Sequence, residues 1–118
     1  QKRLKEIVDG HCLSFGVQAK LDYVVGYPAT INDPDKTTFA ANVARAISGE
    51  DAVSEEGSSE MGAEDFSYFL EKRPGSYLFI GNGDTAGLHH PAYNFDDEIS
   101  AVGASFFAKL VETAQPLR

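Results

Sequence analysis

The residues best suited to chemistry lie in one loop, where two neighbouring histidines stand before a proline: His89, His90 and Pro91. An apolar run typical of a strand precedes this loop, and a long helical pattern follows it. Catalytic and binding groups concentrate on loops held by rigid elements on both sides. Pro91 fixes its own φ and disfavours helical backbone at His90, so the loop has limited freedom. The residues alone fit either a functional site or an ordinary surface turn.

Composition narrows the class of protein. A chain of 118 residues forms at most one ordinary domain. A net charge of −8 argues against nucleic acid and anionic membranes as partners, because phosphate binding depends on Lys and Arg. The chain contains no apolar run long enough to cross a bilayer. The single cysteine, Cys12, excludes an internal disulfide and favours a reducing, cytoplasmic compartment, with the thiol as a small buried hydrophobe.

Two other groups of polar residues are weaker candidates. Cys12 could pair with a histidine as a nucleophile, but we predict it on a strand of a different domain from His89. The adjacent His11 would point to the opposite face of that strand. The acidic loop between residues 50 and 60 carries Glu55, Glu56 and Glu60, which we interpret as a solvated surface because no apolar frame holds them.

The first part of the chain predicts a helix followed by a strand. Residues 1 to 10 are typical of the last turns of a helix closed by Gly10, so we expect the chain to begin inside an element of a longer protein. Apolar and polar residues then alternate from residue 13 to residue 27. This period of two predicts a long strand with one buried face, in an antiparallel sheet.

Residues 28 to 34 break regular structure and mark the predicted domain boundary, with residues 1 to 28 on one side and residues 29 to 118 on the other. Asp33 and Pro34 have the residue types of a helix start, and Gly49 is the predicted stop. Further along we predict a short helix carrying Phe66, Phe69 and Leu70, a buried strand over residues 76 to 81, and a final helix. Asp96 would cap that helix, and its apolar stripe is Ile99, Val102, Phe106 and Leu110. Alternating strands and helices predict an α/β (α+β) fold, with the histidine loop beyond the end of a strand.

Three stretches, taken in order, carry a family resemblance. They are Gly-Tyr-Pro-Ala-Thr-Ile-Asn at residues 26 to 32, Met-Gly-Ala-Glu-Asp-Phe at residues 61 to 66, and Leu-His-His-Pro-Ala-Tyr-Asn-Phe-Asp-Asp-Glu at residues 88 to 98. Together they resemble the C-terminal part of the metal-dependent amidohydrolases that include hippurate hydrolase, N-acyl-amino-acid amidohydrolases and the plant auxin-conjugate hydrolases. The resemblance covers nearly the whole chain.

The resemblance implies a fold and a set of roles. Residues 1 to 28 would be the last helix and strand of a lid or dimerisation domain, and residues 29 to 118 the C-terminal part of a zinc-peptidase-like α/β catalytic domain. A pair of divalent metal ions (Zn, Mn or Co) would activate a water that attacks an amide carbonyl. His89 would be a metal ligand, and Gly62, Glu64 and Asp65 would lie near the substrate. No catalytic residue is assigned in this chain, because the general base and the other ligands would lie upstream.

The implied substrate is an N-acyl or N-aroyl amino acid, and the implied assembly is a homo-oligomer formed through residues 13 to 27, because an unpaired strand edge invites pairing with another copy. The isolated chain is expected to be inactive, since a catalytic metal needs about three protein ligands. The alternative is a non-catalytic regulatory or small-ligand-binding α/β module. The sequence offers that alternative neither a glycine-rich phosphate cradle nor a basic patch.

Overall fold

Helices are the regular elements of this chain. The computed structural model describes residues 1 to 57 and 59 to 115. The elements are α1 (Lys2–Phe15), α2 (Pro34–Ser48), a short 3-10 helix (Glu50–Ala52), α3 (Ser67–Leu70) and α4 (Ile99–Ala114). No strand is assigned within the described residues. None of the helices in that part of the chain is long and apolar enough to span a membrane.

Helix α1 is longer than predicted. It passes through Gly10 and ends at Gly16, whose φ of 61° is the left-handed conformation that glycine adopts at a helix end. The prediction that Gly10 closes the helix is therefore wrong, as is the placement of Cys12 on a strand. A glycine inside a helix costs only about 1 kcal/mol. Ion pairs one turn apart, Arg3 with Glu6 and Lys5 with Asp9, support the helix on its exposed side.

The two predicted strands are not formed. Residues 13 to 15 belong to α1, and no regular element is assigned from residue 16 to residue 31. Within the described chain, the backbone groups of residues 18 to 31 have no backbone hydrogen-bond partner. The predicted buried strand at residues 76 to 81 also lacks a ladder, and its Leu78, Phe79 and Ile80 are exposed. A strand exists only when a neighbour completes its hydrogen bonds, so alternation alone does not produce one.

Helix α2 confirms the predicted start and stop. The Asp33 carboxylate accepts a hydrogen bond of 3.0 Å from the backbone N–H of Lys36, and Pro34 occupies the first helical position. Gly49 ends the helix with a φ of 90°. One face of α2 packs against α4. The buried apolar residues of the described chain all lie on α2, and they are Ala40, Ala41 and Val43.

Helices α3 and α4 occur where helices were predicted, with later starts. Helix α3 begins after Phe66, and α4 begins at Ile99. Asp96 acts just before α4, where its carboxylate accepts a hydrogen bond of 3.0 Å from the N–H of Glu98. In the predicted stripe of α4, Ile99, Phe106 and Leu110 are half-buried, whereas Val102 is 38% exposed.

The side chain of Asn32 joins the start of α2 to the segment before the histidine loop. Its amide donates to the carbonyl of Tyr77 at 2.9 Å and accepts from the N–H of Tyr77 at 2.8 Å. Next to it, the N–H of Asp33 donates to the carbonyl of Gly75 at 2.9 Å. These three hydrogen bonds hold residues 75 to 77 beside the start of α2. They fix the position from which the chain runs towards the histidines.

Candidate functional site

His89 lies in a tight turn with unusual backbone geometry. The N–H of His90 donates to the carbonyl of Gly87 at 3.2 Å, which closes a four-residue turn with His89 in its third position. The φ of His89 is 65°, and it is the one described residue other than glycine with a positive φ. Such turns ordinarily place Gly or Asn there, and a bulkier residue in this region costs of order 1–3 kcal/mol. The turn around His89 therefore imposes a backbone conformation that few residues other than glycine adopt.

The ring of His90 is used within the loop. Its Nδ1 accepts a hydrogen bond of 3.0 Å from the N–H of Ala92, so Nδ1 carries no proton in this arrangement. The carbonyl of His90 accepts from the N–H of Tyr93 at 2.9 Å, which closes a second turn with Pro91 in the position that proline favours. The proline thus shapes the backbone directly after the two imidazoles.

The imidazole of His89 is exposed and has no hydrogen bond or ion pair within the described residues. A neutral imidazole is a common ligand for zinc and other transition metals, so the chemistry of this side chain fits one ligand position. Over the same part of the chain, no group of three or more His, Cys, Asp or Glu residues could hold a metal ion. His89 can therefore supply one ligand, and the described residues do not complete a site around it.

The base of the histidine loop is closed by the side chain of Asn82. Its Nδ2 donates to the carbonyl of Asn94 at 2.6 Å, and its Oδ1 accepts from the N–H of Asp96 at 2.8 Å. Beside it, the Thr85 hydroxyl accepts a longer hydrogen bond of 3.4 Å from the N–H of Asn94. The first and last residues of the loop are therefore held next to each other, just before the start of α4.

An open cleft lies beside this base, lined by residues 82 to 85 and 94 to 97. Three of the lining side chains are carboxylates: Asp84, Asp96 and Asp97. Of these, Asp96 is half-buried and bonded to the backbone of Glu98, while Asp84 and Asp97 are exposed. The cleft is acidic and open to solvent. Its carboxylates do not form a group that could hold a metal ion within the described residues.

Glu64 is held by an aromatic hydroxyl. The hydroxyl of Tyr77 donates to the Glu64 carboxylate at 3.0 Å. This hydrogen bond lowers the pKa of Glu64 below its ordinary value, and it raises the pKa of Tyr77 because the bond favours the protonated phenol. Three residues further along the chain, Ser67 is fully buried, and its hydroxyl donates to the carbonyl of Glu64 at 2.6 Å. Glu64 is thus fixed through both its side chain and its backbone.

The predicted substrate residues differ in how firmly they are held. Gly62 and Asp65 are exposed, whereas Glu64 is half-buried. Within the described residues, no hydrogen bond, ion pair or ring contact joins His89 to residues 62 to 65. The described structure therefore shows no bond between the predicted ligand and the predicted substrate residues.

Three polar residues at these sites were not predicted: Asn32, Tyr77 and Asn82. Asn82 belongs to an Asn-Gly-Asp run that is typical of any turn, and Tyr77 belongs to an apolar segment. Neither residue type carries a signal for these long-range contacts. The Cys12–His11 nucleophile pair finds no support, because the His11 ring stacks on Phe15, with 6.1 Å between ring centroids, and is not hydrogen-bonded to the thiol.

The geometry shows one histidine, His89, whose imidazole is exposed and has no hydrogen-bond partner among the described residues, in a loop that Asn82 closes at its base. Comparison with known proteins identifies the family. The model of Peptidase family M20/M25/M40 matches residues 4–113, and this chain belongs to that family. No solved structure matches the chain significantly.

Several curated proteins are similar in sequence to nearly the whole of this chain. Hippurate hydrolase of Campylobacter jejuni is 30% identical over 110 residues, which cover 93% of this chain and 29% of the relative. N-acetylcysteine deacetylase of Bacillus subtilis is 33% identical over 111 residues, covering 92% and 28% respectively. N-acetyldiaminopimelate deacetylase of Halalkalibacterium halodurans is 28% identical over 113 residues, covering 96% and 30%. The chain thus spans less than a third of the length of these relatives. Their names support a hydrolase of the amidohydrolase and peptidase class.

Proposed function

We propose that this chain is the C-terminal part of a larger metal-dependent amidohydrolase. The enzyme would hydrolyse the amide bond of N-acyl or N-aroyl amino acids, such as hippurate, or of small peptides. The observation that carries the proposal is His89, which has an exposed imidazole without a described partner, held at positive φ inside the region that matches the peptidase family. The names of the relatives support the substrate class, because they include a hippurate hydrolase and two deacetylases of N-acetylated compounds.

The proposal includes a two-domain architecture. Residues 1 to 28 belong to a lid or dimerisation domain, and residues 29 to 118 form the end of an α/β catalytic domain. Residues 13 to 15 lie in α1, whereas residues 16 to 27 and 76 to 81 have strand-like sequence patterns and would pair with strands from the rest of the protein. We expect a cytoplasmic protein, because the chain has a single cysteine and no possible internal disulfide.

The proposed roles follow from the chemistry of each side chain. Two divalent ions (Zn, Mn or Co), when bound, supply an activated water and polarise the amide carbonyl. His89 would donate one imidazole nitrogen to this pair, while the ring of His90 accepts a hydrogen bond from Ala92 within the loop. Gly62, Glu64 and Asp65 would border the substrate, and the hydrogen bond from Tyr77 lowers the pKa of Glu64. The general base and the remaining ligands come from outside this chain.

A comparison of the two histidines tests the proposal in the whole protein that carries this chain. Hydrolysis of hippurate and of N-acetylcysteine is measured before and after a chelator, and again after Zn, Mn or Co is added. We expect activity to disappear with the chelator and to return with a metal. His89→Ala should nearly abolish both activity and metal binding, by more than the roughly 10–100-fold loss typical of an outer-shell partner.

The matched control is His90→Ala or His90→Ser, which removes a neighbouring imidazole and one loop hydrogen bond, and should retain most activity. The isolated 118-residue chain should be inactive, because it contributes one ligand. If His90→Ala loses the metal while His89→Ala keeps it fully, the ligand is His90 and the assignment to His89 is wrong. Metal-dependent turnover by the isolated chain would contradict the argument from missing ligands, and a whole protein insensitive to chelators would contradict the metal-dependent mechanism.

A further inference from the structure

Asn82 holds the two ends of the histidine loop together. Its amide group bridges the two ends of the loop, with Nδ2 bound to the carbonyl of Asn94 and Oδ1 bound to the N–H of Asp96. An asparagine amide can donate and accept at once, and here both functions are used. Asn82 is itself half-buried; its bond to Asp96 is partly buried, and its bond to Asn94 is exposed.

The bridge extends into the two packed helices. On one side, the segment that leads to Asn82 is bonded to Asn32, one residue before the cap of α2. On the other side, Asp96 accepts from the N–H groups of Glu98 and Ile99, through its carboxylate and its carbonyl, at the start of α4. Helices α2 and α4 pack against each other. Asn82 therefore connects the loop to the best-packed part of the described chain.

The geometry of His89 needs such a connection. A histidine at a φ of 65° is disfavoured unless the surrounding structure imposes that conformation. Within the described residues, the hydrogen bonds of this turn are short-range: from His90 to Gly87, from Tyr93 to His90, and from Ala92 to the His90 ring. Those bonds shape the tip of the loop and do not fix where the tip lies relative to the helices. The contacts of Asn82, with the weaker one of Thr85, supply that restraint.

We infer that Asn82 is a positioning residue for the metal ligand His89: its amide closes the loop base and so holds the imidazole in the place from which it binds. The inference rests on the proposed role of His89. It predicts that metal affinity depends on a side chain that contacts neither the metal nor the histidine. Supporting groups must hold a ligand within a fraction of an ångström of its productive geometry, so loss of the bridge is felt at the metal.

The experiment uses the whole protein and Zn²⁺ as the probe. Zn²⁺ affinity is measured by competition with a chromogenic chelator, and the order of the loop is measured separately in the metal-free protein by amide hydrogen exchange. Asn82→Ala should weaken Zn²⁺ binding about 10-fold or more, as loss of a supporting partner typically does. The amides of His90 and Tyr93 should exchange faster. Asn82→Asp keeps the acceptor for Asp96 and loses the donor to Asn94, and it should also weaken Zn²⁺ binding.

Asn94→Ala is the matched control, because it removes an asparagine side chain from the same loop and leaves the bonded carbonyl in place. It should bind Zn²⁺ as the wild type does. Asn82→Asp also keeps the test valid if Asn82→Ala does not fold. Wild-type Zn²⁺ affinity in a folded Asn82 variant overturns the inference, as does an equal loss in Asn94→Ala. If His89→Ala retains Zn²⁺, the proposed function itself fails, and hydrogen exchange then reports on the bridge independently of the metal.

Discussion

Tyr77 and Glu64 illustrate, at the scale of single residues, how one hydrogen bond changes two titrations. The Tyr77 hydroxyl stabilises the Glu64 carboxylate from 3.0 Å and holds the pKa of Glu64 below its ordinary value of 4.5. We therefore expect Tyr77→Phe to raise the pKa of Glu64 towards that value. The measurement is an NMR titration of the Glu64 carboxyl group between about pH 2 and pH 7. Tyr68→Phe is the control, because the Tyr68 hydroxyl has no hydrogen bond within the described residues and its ring contacts Tyr27.

The sign of the pH dependence follows from the same shift. A carboxyl group whose pKa is lowered on folding contributes stability that is present above its unfolded pKa and is lost as the pH falls through its folded pKa. The difference in free energy of unfolding between wild type and Tyr77→Phe should therefore be larger at pH 7 than at pH 3. A difference that stays constant over this range, with an unchanged Glu64 pKa, would show that the bond does not form in solution.

The sequence predicts residue types better than residue geometry at this site. His89 and Glu64 are predicted as site residues because the motifs around them resemble those of a family, and their roles stay predictions. The positive φ of His89 depends on the turn closed by Gly87 and His90, and the bridge of Asn82 spans residues 82 to 96. Contacts at such separations depend on where whole segments lie. The pattern of residues in a single sequence does not say where distant segments lie relative to one another.

At the scale of elements, the Asp33 cap allows a direct test of why α2 begins where it does. Asp33→Ala removes the acceptor for the N–H of Lys36, which lies in the first turn of the helix. Loss of an N-cap of this kind costs about 0.5–2 kcal/mol. We expect lower helix content and an earlier urea midpoint, both measured by circular dichroism. Asp33→Asn keeps a side-chain oxygen that can accept the same hydrogen bond, and Asn is about as favourable an N-cap residue as Asp. This variant should behave almost as the wild type. Equal losses in the two variants would point to the charge of Asp33 rather than its cap.

The helices were predictable and the strands were not, for the same physical reason. A helix completes its backbone hydrogen bonds within its own sequence, so local signals such as Asp33, Pro34 and Gly49 determine α2. The limit of this locality is visible at Gly10, a plausible stop that α1 passes because Gly16 provides a better one. A strand needs a second segment. The alternation at residues 13 to 27 indicates which face would be buried, but it cannot say what buries it.

At the scale of the whole molecule, the chain is extended and its apolar surface is poorly covered. Its radius of gyration is 20.9 Å, with extents of 70 × 39 × 20 Å, whereas a compact chain of this length has about 13–14 Å. Within residues 13 to 27, Leu13 is 87% exposed and Val24 is 84% exposed. Large exposed apolar patches in a protein are typical of interaction surfaces or of sites of aggregation.

We therefore expect the isolated chain to self-associate through residues 13 to 27, although the strand edge first invoked for this contact is not formed. The driving force is the burial of exposed apolar side chains, at about 25 cal/mol per Å². The backbone groups of residues 18 to 31 also lack backbone partners in the described chain and can pair with a second copy.

Sedimentation velocity over a range of concentrations should show a concentration-dependent dimer or larger species. Val24→Lys should shift the population towards monomer, because it places a charge within the contact. Met61→Lys adds the same charge at an exposed apolar residue outside this segment and should leave the association unchanged. A chain that stays monomeric at all concentrations, or equal effects of the two lysine variants, would contradict association through residues 13 to 27.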